Sequence, residues 1–328
     1  MQSHIDGFRG RRIAVWGDPI LDEYIFTRAA RVSREAPVLI AEHESEAFRL
    51  GGAGNVAANI RALGGIPVPV GFVGADQTGD VIRRVLWDSD ISEEGLIQIE
   101  GFVTPRKTRI LSGDSHTRRQ QVLRIDRLNR QEASETKRSD LMEKLGEIAS
   151  SCDFLVISDY LQCSVRGEDL EKIRDRVDLP PTAVDSRRNL RSFSGMRVAT
   201  PNLPELERLY PGRNLGVEEH FVDAGRKLLG ELDARGLLLK RGDEGMVLLE
   251  EDGSLKTIGI FGSREIVDVT GAGDTVIAIL ALGLAAGTDL YTSARLAAVA
   301  AGLTVMKVGA ATVTPRELSD ALETGKLP

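Results

Sequence analysis

The amino-acid sequence predicts an α/β protein with a mostly parallel central sheet, helices on both of its faces, and a small β-sheet beside it. The first observation is that short apolar strands alternate with helices through the second half of the chain, which is typical of a parallel sheet buried on both faces. The second is that two long β-like segments interrupt this alternation. A chain of 328 residues is long enough to bury a large core.

The N-terminal half contributes the first strands and helices of the pattern. Apolar runs bounded by Gly and Asp indicate strands, and apolar residues at helical spacing after a glycine-rich stretch indicate helices. The predicted elements are a strand over 12–16, an extended segment over 37–44, a helix over 56–63, a strand over 68–73 and a helix over 82–88.

The C-terminal half is more regular. Each short apolar strand is followed by a stretch with helical spacing, and the last hundred residues or so add a hairpin and at least three helices. The predicted strands cover 154–157, 182–184, 197–200 and 237–239, and the hairpin covers 246–250 and 255–260.

The two β-like segments cover approximately 24–48 and 97–126. They are too long for ordinary connections. We therefore predict one domain over 1–328, in which these insertions form a small antiparallel lid over the site. Because exposed strand edges invite pairing with a second copy, we also expect a homodimer joined through the lids.

Composition excludes several functional classes. The chain carries 42 Lys and Arg against 49 Asp and Glu, a net charge of −7, which argues against a nucleic-acid partner. The longest apolar run falls short of the roughly 20 residues of a membrane span, and the N-terminus does not resemble a signal peptide. The only two cysteines, Cys152 and Cys163, form no metal-binding pattern, so we expect a cytoplasmic protein without a membrane partner.

The most informative segment is Asp-Val-Thr-Gly-Ala-Gly-Asp-Thr at 268–275, which runs directly into an apolar helix. A small-residue loop at a helix N-terminus presents free N–H groups that favour an anion. Asp274 places a carboxylate in the same spot. This combination suits phosphoryl transfer, with the loop holding a phosphate and the acid taking a proton. Read alone, the motif is more typical of a helix cap at Asp274.

Polar side chains also follow four successive predicted strands, where the carboxyl ends of a parallel sheet bind ligands. They are Ser158-Asp159, Asp185, Pro201-Asn202 and Lys240-Arg241. A carboxylate, an amide and a cation at one edge are more than turns require.

Other catalytic motifs are missing or misplaced. The sequence has no Gly-x-x-x-x-Gly-Lys-Ser/Thr loop, no Gly-x-Ser-x-Gly elbow and only four scattered histidines. The run 52–57 matches Gly-x-Gly-x-x-Ala, but a β-like stretch separates it from the first strand, so it does not fit a dinucleotide-binding fold.

Two glycine motifs resemble those of the ribokinase (PfkB) family of sugar kinases. They are Gly-Gly-Ala-Gly-Asn-Val-Ala-Ala-Asn at 51–59 and the segment at 268–275, and the resemblance extends from about Ile13 to about Thr314. It implies a ribokinase-like three-layer sandwich with a β-sheet lid, and a kinase that uses ATP and Mg²⁺.

The resemblance also implies catalytic and nucleotide-binding roles. Asp274 would be the general base, and the N–H groups of Gly271, Ala272 and Gly273 would hold the transferred phosphate. Asn202 and Glu205 look like the family's Asn-x-x-Glu, which helps to hold phosphate and hydrated Mg²⁺; alone, this pair also fits a helix start. The nucleotide loop would comprise Lys240, Gly242 and Gly245. Lys240 stands where Thr or Ser is usual, and could reach a phosphate or lie in a solvated turn.

In some relatives, the positions of Asp268 and Thr270 help to form a monovalent-cation site from backbone oxygens. The resemblance therefore raises the prospect of K⁺ as a cofactor.

Within the family, the kinases that phosphorylate heptose 7-phosphate at the anomeric oxygen fit best. The matching segments are 18–24, 32–38, 107–109, 120–126, 158–160 and 309–313. Asp18, Asp22, Asn55 and Asp126 would bond sugar hydroxyls. Read alone, Asp18 is a turn residue and Asn55 a helix-start amide. The remaining substrate-side positions are Gly51, Gly52, Asp159 and Asp185.

The second β-like segment is rich in basic residues, unlike the acidic chain as a whole. Arginine binds phosphate in a bidentate manner, so we expect Lys107, Arg109 and Arg124 to contact a phosphorylated sugar, with the other cations solvated. The chain departs from the branch at Arg34, at Leu161-Gln162-Cys163, at Ser186-Arg187 and at Ala298.

The sequence thus predicts a sugar kinase acting on a heptose 7-phosphate. The alternatives are a kinase for another sugar, such as fructose phosphate or ribose, and a catalytically silent sugar-binding relative.

Overall fold

The computed structural model describes residues 2–113, 119–262 and 267–325. Residues 114–118 of the second predicted insertion, including Arg118, and the last three residues of the predicted domain lie outside the described part. The strands are β1 (Arg12–Gly17), β2 (Pro19–Val32), β3 (Leu39–Gly52), β4 (Ile66–Gly74), β5 (Gly95–Ile99), β6 (Arg106–Gly113), β7 (Gln120–Arg127), β8 (Phe154–Asp159), β9 (Thr182–Ser186), β10 (Val198–Ala199), β11 (Gly236–Lys240), β12 (Met246–Glu250) and β13 (Leu255–Ile258).

Helices alternate with these strands. They are α1 (Gln2–Asp6), α2 (Ala53–Ala62), α3 (Gln77–Asp88), α4 (Glu135–Ala149), α5 (Gly167–Arg174), α6 (Leu203–Leu209), α7 (Glu218–Glu231), α8 (Ala272–Ala285), α9 (Leu290–Thr304) and α10 (Pro315–Thr324). No helix among the described residues is both long and apolar enough to cross a membrane.

The large sheet has nine strands in the order β13-β12-β11-β10-β9-β8-β1-β4-β5. All neighbours from β11 to β5 run parallel, and β12 and β13 add an antiparallel edge. This architecture confirms the predicted mostly parallel sheet and the predicted terminal hairpin.

The period of two along the central strands divides the core into two layers. Ile13, Val15 and Phe154 pack with α2, α8 and α9 on one face, and Trp16 and Leu155 pack with α4, α5 and α7 on the other. Successive side chains along each strand therefore face opposite helical layers, as expected for a parallel sheet covered on both faces.

The small sheet has four strands in the order β3-β2-β6-β7. Its outer pairs are antiparallel, but β2 and β6 run parallel, so the prediction of a purely antiparallel lid was wrong. The predicted bounds also need correction. The first insertion begins at Pro19, and residues 97–99 belong to β5 at the edge of the large sheet. An alternating pattern does not reveal which sheet a strand joins.

Strand pairing brings predicted site residues to one face of the small sheet. Asp22 lies opposite Lys107, which lies opposite Asp126, while Tyr24, Arg109 and Arg124 form the next row. Because directly paired residues point to the same face, these charged side chains are neighbours.

Candidate active site

Helix α8 begins in the small-residue loop. Gly271, its N-cap residue, has a left-handed backbone with φ of 81°. A Cβ at this position would lie 2.5 Å from Nδ2 of Asn55. Glycine is therefore required twice here, once by the backbone conformation and once by the close approach of α2.

The loop presents main-chain donors. Among the described residues, the N–H groups of Gly271, Gly273 and Asp274 donate to no acceptor, whereas Ala272 makes a long bond of 3.4 Å to the oxygen of Val269. Free N–H groups at the start of an apolar helix form a site for an anion.

Asp274 is buried at the first turn of α8. Its Oδ2 accepts from Asn55 Nδ2 at 2.8 Å, and its Oδ1 accepts from the Tyr160 hydroxyl at 2.8 Å. Burial raises the pKa of this carboxyl to about 6, although the bonds from Asn55 and Tyr160 act in the opposite direction. A buried carboxylate with a raised pKa beside free N–H groups has the properties of a general base.

The Asn55 side chain was expected to contact the sugar. In the structure it donates to Asp274, the candidate base. Its own oxygen accepts from Asn59 Nδ2 at 3.3 Å, and Asn59 Oδ1 accepts from the hydroxyl of Thr275 at 3.1 Å. This buried chain of side chains ties α2 to α8 and fixes the Asp274 carboxylate.

Asp18 is also used within the protein. Its carboxylate accepts three backbone N–H groups, from Tyr160 at 2.8 Å, Gln162 at 3.0 Å and Ser164 at 2.9 Å. Burial raises its pKa to about 6. Asp18 thus anchors the loop after β8 rather than lying open to a sugar as expected. The alternative interpretation of Asp18 as a turn residue was also incomplete, because it did not predict the bonds from the loop after β8.

That loop contains two strained residues. Leu161 has φ of 63° and Cys163 has φ of 79°, and both belong to the segment Leu161-Gln162-Cys163, where the chain departs from the branch pattern. Asp159 supports the strain, because its carboxylate accepts from Leu161 N at 2.9 Å and from the Ser186 hydroxyl at 2.7 Å. Such strain persists only where surrounding bonds hold it.

Lys240 and Asp185 form an ion pair of 3.1 Å between the ends of β11 and β9. A Cβ at Gly273 would lie 3.4 Å from Lys240 Nζ, so this ammonium group lies beside the glycine loop. The reading of Lys240 as part of a solvated turn is therefore not supported.

Asn202 and Glu205 form a reciprocal capping box at the start of α6. Glu205 Oε2 accepts from Asn202 N at 2.8 Å. Burial raises the pKa of Glu205, and the nearby Asp185 acts in the same direction. The interpretation of the Asn-x-x-Glu pair as a helix start is confirmed, and the capping box also places the Glu205 carboxylate near Asp185 and Lys240.

A cavity of about 520 Å³ adjoins the glycine loop. Its polar end comprises Asn202, Lys240 and Gly273, and Gly242 and Gly245 also line it. Its walls are mainly apolar and include Met246, Ile260, Phe261, Val276, Ala298 and Val305. Apolar walls that lead to a few polar groups are typical of a small-molecule site.

On the small sheet, the Asp22 carboxylate forms a buried ion pair with Arg109. The Arg109 guanidinium also lies 5.3 Å from the ring centre of Tyr24, whose hydroxyl accepts from Ala310 N at 3.0 Å. A Cβ at Gly51 would lie 2.6 Å from Asp22 Oδ2, and one at Gly52 would lie 2.5 Å from the carbonyl oxygen of Asp18. These two glycines thus permit the close approach of β2 and β3.

Arg124 pairs with Asp126 through two bonds of 2.9 and 3.0 Å on the exposed strand β7. Residues two apart share a face of a strand, which explains this pair. Arg109 and Arg124 are therefore both engaged by carboxylates. Of the three cations expected to contact phosphate, Lys107 alone has no ion-pair partner among the described residues.

Asp268 also bonds to main chain, accepting from Thr270 N and Gly309 N at 2.9 Å each. A cation in this loop would have to be bound by backbone oxygens. Across the described residues, no three His, Cys, Asp or Glu side chains converge as a metal site.

Two residues near the base were not predicted as site residues. Tyr160 donates to Asp274, and Arg187 lies 4.3 Å from the Tyr160 ring centre. In the sequence, Tyr160 appeared only within the matching segment 158–160, and Arg187 only as a departure from the branch pattern directly after a predicted strand.

Residues 12–317 match the pfkB family of carbohydrate kinases. The chain belongs to this family. Curated relatives named bifunctional protein HldE are 37% identical over 94% of the chain in Citrifermentans bemidjiense and 34% identical over 96% of it in Haemophilus influenzae. The chain spans 62% and 64% of their respective lengths.

Solved structures support the same fold. Phosphofructokinase-2 from Escherichia coli in complex with potassium is 20% identical with a TM-score of 0.77, covering 97% of this chain and 99% of its own. Arabidopsis thaliana ribokinase complexed with ribose and ATP is 19% identical with a TM-score of 0.70, covering 96% of this chain and 99% of its own. The comparisons confirm the predicted family, ribokinase-like fold and sugar-kinase class.

Proposed function

We propose that this chain transfers the terminal phosphoryl group of ATP to a hydroxyl of a sugar phosphate, and that its preferred acceptor is a heptose 7-phosphate phosphorylated at the anomeric oxygen. The observation that carries the proposal is the buried carboxylate of Asp274 beside unpaired main-chain N–H groups at the polar end of an apolar cavity.

Asp274 takes the proton of the acceptor hydroxyl as that oxygen attacks the terminal phosphorus. Asn55 and Tyr160 orient the carboxylate. The N–H groups of the glycine loop bond the phosphoryl oxygens, where negative charge develops during the transfer. The hydroxyl oxygen gains the phosphoryl group, and ADP leaves.

The apolar cavity has a volume of about 520 Å³, which suits the adenosine of ATP. Lys240, held by its ion pair with Asp185, binds the phosphates of ATP beside Gly273. Glu205 would hold a hydrated Mg²⁺ through water, since Mg²⁺ is usually bound by one or two carboxylates together with substrate phosphates. When bound, the ion would neutralise phosphate charge.

A K⁺ site at Asp268 and Thr270 remains a prediction. Asp268 uses its carboxylate to hold Thr270 and Gly309, so the ion would be coordinated by backbone oxygens of these loops. The potassium complex of phosphofructokinase-2 supports a test of potassium dependence.

The heptose phosphate assignment is supported by the branch motifs and by the curated relatives named HldE. The small sheet presents carboxylates and cations toward one face, as a phosphorylated polyol would need. We further propose a homodimer through the small sheet, because Leu123 and Ile125 on β7 are exposed apolar residues.

The direct test is an ADP-release screen over free sugars and sugar monophosphates, heptose 7-phosphates included. We expect turnover with a phosphorylated acceptor that is faster than with its free sugar. Turnover with free sugars only would contradict the acceptor assignment. A thermal shift with sugar alone, without ADP release for any acceptor, would indicate a silent binding protein.

A further inference from the structure

Two cations from different parts of the fold contact the ring of Tyr160. Lys107 Nζ, on β6 of the small sheet, lies 5.0 Å from the ring centre, and the guanidinium carbon of Arg187, directly after β9 of the large sheet, lies 4.3 Å from it. The hydroxyl of the same ring donates to Asp274. The two cations therefore lie close to the base.

Neither cation has a carboxylate within ion-pair distance among the described residues. The other basic residues of the site differ, since Arg109 is paired with Asp22, Arg124 with Asp126, and Lys240 with Asp185. Two unpaired cations on one ring repel each other. The pKa of Lys107 is lowered by burial and, next, by the charge of Arg187.

We propose that Lys107 and Arg187, together with the Tyr160 ring between β6 and β9, form a phosphate-binding subsite of the acceptor pocket. A phosphate dianion would neutralise both cations, and Arg187 offers the planar donor fork that suits phosphate oxygens. This inference rests on the proposed function, and it adds Arg187, which belongs to none of the predicted sites.

The main chain places Arg187 firmly although its side chain is exposed. Its N–H donates to the carbonyl of Asp159 at 3.4 Å, and its carbonyl accepts from Arg208 at 3.1 Å. The backbone is thus fixed while the guanidinium stays open to solvent. Lys107 is held by the β6 ladder, so the subsite joins the two sheets.

Two phosphates could fill this subsite: the one already on the acceptor, or the phosphoryl group in transfer. Both groups are negatively charged, and both accept hydrogen bonds from cationic donors. They differ in what else must be bound, because the second arrives with the nucleotide.

The experiment measures binding of inorganic phosphate by calorimetry to wild type, Arg187→Gln and Lys107→Gln. Arg188→Gln is the matched control, because Arg188 is the exposed neighbour and makes no cation–π contact in the described part of the chain, whereas Lys107 and Arg187 contact Tyr160. We expect each site variant to weaken the phosphate Kd on the order of tenfold or more, as loss of a charge-assisted contact would. Arg187→Lys should recover part of the affinity. Melting temperatures verify that each variant is folded.

The sources are separated by repeating the titration with a non-hydrolysable ATP analogue. If phosphate still binds, and the variants raise KM for phosphorylated but not for free sugars, the subsite holds the acceptor phosphate. If the analogue abolishes binding, and the variants lower kcat for all acceptors, it holds the transferred group. Phosphate affinity unchanged in both variants would overturn the inference. Because binding is measured without turnover, this failure is distinct from an inactive enzyme.

Discussion

The Asp274 carboxylate combines two requirements that oppose each other. It must be deprotonated to act as a base, and it must be basic enough to take a proton. Burial raises its pKa to about 6, and the bonds from Asn55 and Tyr160 limit this rise. The carboxylate is therefore ionised at neutral pH yet more basic than an exposed aspartate.

The pH profile follows from this value. Since the base form is lost as pH falls through the raised pKa, kcat/KM should fall below about pH 6 with the loss of one proton-accepting group. The profile is measured with a saturating nucleotide and a limiting acceptor. The acceptor phosphate itself titrates with a pKa of about 6, so one profile cannot assign the group.

The variant Tyr160→Phe tests whether the acid limb belongs to Asp274 or to the acceptor phosphate. It removes a donor that stabilises the charged carboxylate, so the pKa of Asp274 and the acid limb should move to higher pH, while the titration of the substrate is unchanged. Tyr24→Phe is the control, since the Tyr24 hydroxyl bonds to Ala310 and not to the base. An acid limb at the same pH in both variants would show that Tyr160 does not act on the base.

At the scale of single elements, the loop after β8 shows what the sequence did and did not reveal. The departure from small residues at Leu161 and Cys163 was visible, but its consequence was not. Both residues adopt a left-handed backbone that favours glycine. Asp18 and Asp159, which follow predicted strands as ordinary turn residues would, supply the bonds that hold this conformation.

The strained backbone at Leu161 predicts which of two substitutions gives the more stable protein. Leu161→Gly should be more stable than Leu161→Ala by about 1 kcal/mol, since a left-handed backbone costs a non-glycine residue about 1–2 kcal/mol. At Gln162, whose φ is not positive, the order should reverse by about 0.5–1 kcal/mol. Urea unfolding of the four variants measures both differences. A more stable alanine at both positions would contradict the strain.

The glycine loop can be tested in a similar way. Gly271→Ala should lower both activity and stability, since the new Cβ would lie 2.5 Å from Asn55 Nδ2. Gly287→Ala is matched to it, because Gly287 has φ of 79° and nothing within 4 Å of the added carbon. Both variants therefore strain a left-handed backbone, but only Gly271→Ala brings a Cβ against Asn55. Equal loss of kcat in the two variants would contradict the role of this contact.

For the whole molecule, apolar runs sufficed to predict the large sheet, except its edge strand β5, and the two helical layers, because burial on both faces leaves a continuous signal. The small sheet was harder. The parallel pairing of β2 with β6 joins segments distant in sequence, and their register decides which charges meet. The pair of Asp22 with Arg109 depends on that register, so the sequence could not show that this arginine is engaged.

The homodimer is also a question for the whole molecule. We expect a mass twice that of the 35.6 kDa chain, and Ile125→Lys should shift it toward the monomer, since a charge on this face opposes burial. Trp87→Lys is the control, because Trp87 is an exposed aromatic residue on α3 outside the small sheet. Light scattering measures the masses. A monomeric wild type, or a dimer insensitive to Ile125→Lys, would contradict the proposed interface.

The central claim is that one carboxylate removes the proton of the acceptor. It is tested most directly by the turnover of Asp274→Asn with the best acceptor, beside Asp289→Asn, an exchange at the N-cap of α9. We expect Asp274→Asn to lose about 10²–10⁴-fold in kcat with nearly unchanged ATP affinity, and Asp289→Asn to keep full activity. Turnover of Asp274→Asn within a few-fold of wild type would contradict the account.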